Sequence, residues 1–124
     1  MLRKASLLFI GSLATTVFAS SLYVPSVAAD DETGLASIHE QRREGNRICM
    51  SSHFHNGSSS GQKTRKLAEA AAIKDWAGFT AWEYGTIWAH YKLAASKSMN
   101  CSEEGGTWRC QLEARPCRPL PKRR

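Results

Sequence analysis

The residues of this chain best suited to chemistry are His53 and His55, separated by Phe54. Histidines at i and i+2 on an extended segment point the same way, so their neutral imidazoles can share a Cu²⁺ or Zn²⁺ ion. On this reading a third ligand comes from His39 or His90, which the order of residues does not place. The simpler reading is two loop histidines bonded to backbone or solvent. A second motif, Gly57-Ser58-Ser59-Ser60-Gly61-Gln62-Lys63-Thr64, resembles a phosphate loop but departs from it. Only three residues separate its glycines, and Gln62 intervenes before Lys63, whereas a phosphate grip needs consecutive backbone N–H groups and a correctly placed lysine. A flexible loop over 56–61 followed by a helix cap accounts for these residues. No serine sits in a G-x-S-x-G elbow, and no His–Asp partner is marked. Asp75 and Glu83 lie on a helix that offers them solvent. These residue types predict no enzyme and no cofactor.

Basic side chains offer a different chemistry, attraction to polyanions. Lys63, Arg65 and Lys66 fall at a helix start, Arg109 and Arg115 on the outward face of a strand, and Arg118, Lys122, Arg123 and Arg124 in the tail. Two tripeptides, Asn56-Gly57-Ser58 and Asn100-Cys101-Ser102, match the N-x-[ST] glycosylation pattern.

The N-terminus sets the compartment in which this chemistry is expected. Arg3 and Lys4, an apolar run through Ala19, and Val27-Ala28-Ala29 before Asp30 follow the order of a cleavable signal peptide over residues 1–29. The apolar run is broken by Gly11, Ser12, Thr15 and Thr16, short of the roughly 20 residues of a membrane span. Cleavage removes Arg3 and Lys4 and lowers the formal charge from +6 to +4, weak footing for nucleic acid. An unidentified protein or an anionic envelope polymer fits better. All four cysteines, Cys49, Cys101, Cys110 and Cys117, lie beyond the leader, and no C-x-x-C pair suggests a metal knuckle. In an oxidising compartment they predict two disulfides and no free thiol, with Cys49 joined to Cys110 or Cys117.

The elements that must position these groups follow from periodicity. Residues 30–47 are charged and nearly devoid of apolar side chains, which predicts a loose arm. Lys63 to Trp82 contain no proline and many helix formers, capped by Ser60 or Thr64 and stopped at Gly85, with Ala70, Ile73, Trp76, Ala77 and Thr80 on the buried face. Trp108, Cys110, Leu112 and Ala114 alternate with polar residues, which describes a half-buried strand. Residues 95–101 are its antiparallel partner across a turn at 102–106, and Ile87 to Leu93 reads as a further strand or, alternatively, as an extension of the helix beyond Gly85. The tail from Arg115, with Pro116, Pro119 and Pro121, should be irregular. The expected fold is α+β: one helix on a two- to three-stranded antiparallel sheet, stapled by disulfides, with the domain proper at 48–118 and a basic tail at 119–124.

Trp76, Tyr84-Gly85, Cys101, Trp108-x-Cys110 and Ala114-Arg115-Pro116-Cys117-Arg118 resemble a group of small, uncharacterised exported proteins of alphaproteobacteria over residues 64–118. The resemblance implies an envelope-facing or secreted setting and carries no activity. The leading functional expectation is a non-enzymatic exported domain that binds a partner or an anionic surface. The alternative is a periplasmic metal-binding protein using His53 and His55.

Overall fold

A computed structural model describes residues 32–123; the signal peptide expected at residues 1–29 lies outside them. The chain runs α1 (Gly34–Ser37), β1 (Gln41–Glu44), β2 (Arg47–Met50), β3 (His55–Gln62), α2 (Arg65–Tyr84), a 3₁₀ turn (Thr86–Trp88), β4 (Ala95–Glu104), β5 (Thr107–Arg115) and β6 (Cys117–Pro119). The class is α+β as expected, with two three-stranded antiparallel sheets in place of one: β3-β5-β4 and β1-β2-β6.

α2 begins where expected. Thr64 is extended, and its hydroxyl accepts from the Leu67 N–H, one of the donors a helix start leaves unpaired. The buried face is Ala68, Ala72, Trp76, Thr80 and Tyr84; Ile73 and Ala77 flank it, whereas Ala70 is exposed. The face packs on β3 and β5 through Cys110, Leu112 and Ala114, and Trp76 donates its indole N–H to the Ala114 carbonyl. The β4–β5 hairpin closes through Gly105-Gly106, both at positive φ (60° and 79°), which is the demand of a two-residue type I′ loop. β4 continues through Glu104, so the turn is shorter than the sequence suggested.

Four sequence expectations are corrected. The loose arm expected at residues 30–47 is ordered from Gln41, whose strand pairs with Arg47–Met50 in a hairpin around Gly45-Asn46, in register from Gln41↔Met50 to Glu44↔Arg47. Asn56–Gly61 is not a loop but the body of β3. A Cβ at Gly57 would collide with the Ala72 carbonyl and the Trp76 backbone, so only glycine lets α2 lie on this strand, and Ser59 donates to the Ala68 carbonyl. Residues 87–93 form no strand: Trp88 leaves the 3₁₀ turn to fill a core with Ala36, Met50 and Tyr84. The tail contributes β6, which places Cys117 opposite Cys49.

The disulfides are Cys49–Cys117 and Cys101–Cys110, each between directly opposed residues of neighbouring strands, and no free thiol remains. The pairing of Cys49 with one of the last two cysteines is as expected. Entropy of loop closure assigns about 4 kcal/mol to the first bridge and about 2.5 kcal/mol to the second. Among the described residues no helix is long and apolar enough to cross a membrane.

Candidate metal centre

His39, His53, His55 and Glu83 come together where the two sheets meet the end of α2. His39 follows α1, and α1 is tied to the helix terminus by Thr33, whose N–H donates to the Tyr84 carbonyl and whose hydroxyl donates to the Glu83 carbonyl. These carbonyls are among those a helix end leaves without partners, so the docking of α1 is also a cap. The Ser51 N–H to Glu40 carbonyl bond, 2.9 Å, then holds the segment after His39 beside the one that leads to His53. His53 meets His39 edge-on at 4.5 Å and His55 at 5.3 Å between ring centroids. Tyr84 packs against all three imidazoles, at 5.3 Å from His39, 5.8 Å from His53 and 4.8 Å from His55.

One donor atom each from His39, His53 and Glu83 lies within 4.8 Å of the other two. A tetrahedral site with bonds of about 2.0–2.2 Å holds its donors roughly 3.4 Å apart, so these partly buried side chains must draw together to hold an ion. The His39 Nδ1 lies 2.8 Å from the Leu35 carbonyl. A carbonyl only accepts, so the proton is on Nδ1 and the lone pair on Nε2, the arrangement in which backbone fixes a ligand's tautomer.

His55 departs from expectation. It is the first residue of β3 and turns into the core, its side chain 1% exposed, so it does not stand beside His53 as a second surface ligand. Both ring nitrogens have a near polar neighbour. The Thr80 hydroxyl lies 2.7 Å from the Trp76 carbonyl and 2.9 Å from the His55 Nδ1, so it bridges the ring to the helix backbone. The other ring nitrogen, Nε2, lies 2.7 Å from Glu83 Oε2. The contact is close but not aligned as a hydrogen bond, and both atoms are buried without another partner. Burial pushes the His55 pKa down to about 4, against the opposing pull of the Glu83 carboxylate. His55 and Glu83 thus form a close buried pair at the edge of the cluster. The Tyr84 hydroxyl is a further buried polar group with no partner, and burial, with Glu83 adding, raises its pKa to about 12. A cleft of about 430 Å³ opens beside the cluster, lined by His53, Phe54, His55, Asn56, Phe79 and Glu83.

The structure thus brings His39 to His53 as one of the two expected third ligands and leaves His90 exposed in the turn region before β4, outside the cluster. Glu83 was assigned to solvent, but it sits three residues from Thr80 and next to Tyr84, both on the buried face. That adjacency was the signal in the sequence.

The polyanion residues do not gather. Lys63, Arg65 and Lys66 are exposed at the start of α2, and Arg65 pairs with Glu69 at 2.9 Å. Arg109 faces solvent and reaches Glu104 at 3.4 Å. Arg115 is not on an outward face: it is 5% exposed, enclosed by groups of β1, β2 and β4. Its guanidinium donates to the Met50 carbonyl, Ser96 and Glu44. The phosphate-loop resemblance also ends here, since its glycines belong to β3. Comparison with protein-family models, curated proteins and solved structures finds no match.

Proposed function

We propose that this chain is a metal-binding domain that takes one divalent transition ion, Zn²⁺ or Cu²⁺, on His39, His53 and Glu83. The observation that carries the reading is the convergence of these three donors, from three separate segments, beside a close buried His55–Glu83 contact. Two imidazoles and a carboxylate suit borderline ions, and the thiolates that would favour a softer site are spent in disulfides. In this reading His55 is a positioning residue that holds Glu83, not a ligand. Three protein ligands leave a coordination position towards the cleft, so a water or a small anion completes the shell. The two disulfides and the leader-like N-terminus support a setting outside the reducing cytosol.

Titration calorimetry of the purified chain with Zn²⁺ and with Cu²⁺ tests the proposal. The expected result is one ion per chain at micromolar affinity or tighter, weakened at least tenfold by His39→Ala, His53→Ala or Glu83→Gln and unchanged by His90→Ala. Binding that persists in the His39→Ala, His53→Ala double variant would overturn it.

A further inference from the structure

The outward face of α2 carries apolar residues where a helix covering a small sheet ordinarily presents charge. Trp82 is 75% exposed and Leu67 50% exposed at its two ends, and Ala71, Lys74, Asp75 and Gly78 fill the stripe between. The stripe is palindromic. About a point between Lys74 and Asp75, Leu67 mirrors Trp82, Ala71 mirrors Gly78, and Lys74 mirrors Asp75. We propose that this face is the interface of a symmetric dimer in which α2 packs antiparallel on α2 of a second copy of this chain.

A two-fold axis reverses residue order, so every residue of the stripe meets its mirror in the second copy. Each Trp82 then covers the second copy's Leu67, burying both large side chains that the single chain leaves in water. Lys74 meets Asp75 twice across the axis, so the only charges in the stripe neutralise each other. A parallel arrangement would set lysine against lysine. Asp75 is held for this contact: its Oδ2 accepts from the Ser58 N–H at 2.8 Å, which leaves Oδ1 for the lysine. Gly78 supplies an independent observation. A Cβ there would meet nothing within 4 Å, so packing inside one chain does not require glycine, and glycine in mid-helix weakens the helix. With Ala71 opposite, the notch lets two helix backbones approach closely. Phe79, 5.8 Å from Trp82 between ring centroids, extends the apolar surface at each end.

Sedimentation and light scattering of the purified chain over a wide concentration range test the inference. A dimer that dissociates on dilution is expected. Trp82→Glu and Gly78→Leu should each raise its dissociation constant at least tenfold, while far-UV circular dichroism shows α2 intact; Gly78→Leu should melt no lower than wild type at monomeric concentrations, since leucine has room and is the better helix former. Lys74→Glu and Asp75→Lys should each weaken self-association, and mixing the two variants should form the heterodimer in which every pair is again opposite in sign. A chain that stays monomeric at every concentration, or a dimer indifferent to Trp82→Glu and Gly78→Leu, would overturn the proposal.

Discussion

Glu83 and Arg115 are the two side chains whose neighbours dictate most of their behaviour, and each yields a prediction. The Glu83 carboxylate lies 2.7 Å from the buried His55 Nε2, whose other ring nitrogen is 2.9 Å from the Thr80 hydroxyl. Glu83→Gln removes the carboxylate charge but keeps a polar group of the same shape beside that nitrogen. The metal-free variant should therefore differ from wild type by no more than about 1 kcal/mol at neutral pH, while losing the metal. Urea unfolding in the presence of a chelator measures it, and a larger loss of stability would mean that the carboxylate charge itself holds His55 in place. Arg115 is bound to Glu44 at 2.8 Å, and Glu44 also accepts from Arg42 at 2.8 Å. The Arg42 hydrogen bond, with Arg115 adding, holds the Glu44 carboxyl below its ordinary value. The unfolded chain then binds the proton more readily, so this contribution is present above the ordinary carboxylate range, near pH 4.3, and is lost as pH falls through the depressed value. Glu44→Gln should lower stability at pH 6 by roughly 1.5–3 kcal/mol, because the buried Arg115 loses its counter-charge and keeps only the Met50 carbonyl and Ser96 as partners. The gap between variant and wild type should narrow as both are unfolded at progressively more acid pH.

At the scale of elements, the contact between α2 and β3 turns on one missing side chain. Gly57→Ala places a methyl against the Ala72 carbonyl and the Trp76 backbone, neither of which moves without lifting the helix. Overpacking of this kind costs about 1–3 kcal/mol and sometimes more, whereas Gly78→Ala, in open space on the same helix, should be neutral or stabilising; thermal melting of the two variants side by side checks the contrast. The same strand shows why part of the fold was hidden in the sequence. α2 and the β4–β5 hairpin announce themselves through periodic apolar residues. β3 reads His-Asn-Gly-Ser-Ser-Ser-Gly-Gln and owes its place to hydrogen bonds and a close backbone approach, which hydropathy does not register. β1 is polar throughout and β2, Arg-Ile-Cys-Met, is too short to show a period, so their shared local signal was the Gly45-Asn46 dipeptide, a two-residue hairpin loop. The candidate site was half legible for the same reason. His53 stood out by type, but His39 and Glu83 reach it only because a short helix caps a longer one.

For the molecule as a whole, the metal centre lies on a joint, and this makes the two disulfides unequal. One core packs α2 against β5 with Trp76, Leu112 and Ala114. A second gathers Ala36, Met50, Tyr84 and Trp88, and a third surrounds Cys49, Cys117 and Ala95. His55 and Glu83 belong to the larger sheet and its helix, whereas His39 and His53 flank the hairpin of the smaller sheet. That sheet consists of two strands of four residues and one of three, and Cys49–Cys117 ties β6 to β2 across its middle. Two-stranded ribbons of this size are marginal alone in water, so the small sheet depends on the bridge more than the large one does. Removing it by Cys49→Ser, Cys117→Ser should cost about 4 kcal/mol, or roughly 20 °C in melting temperature for a domain of this size. It should also weaken metal binding well beyond tenfold, because His39 and His53 lose their fixed separation from Glu83. Cys101→Ser, Cys110→Ser removes a bridge within one hairpin. It should cost about 2.5 kcal/mol and leave metal affinity unchanged at temperatures where the variant is folded. Measuring melting and calorimetric affinity on both double variants separates the two roles. Equal losses of affinity would show that the centre responds to global stability and not to the joint between the sheets.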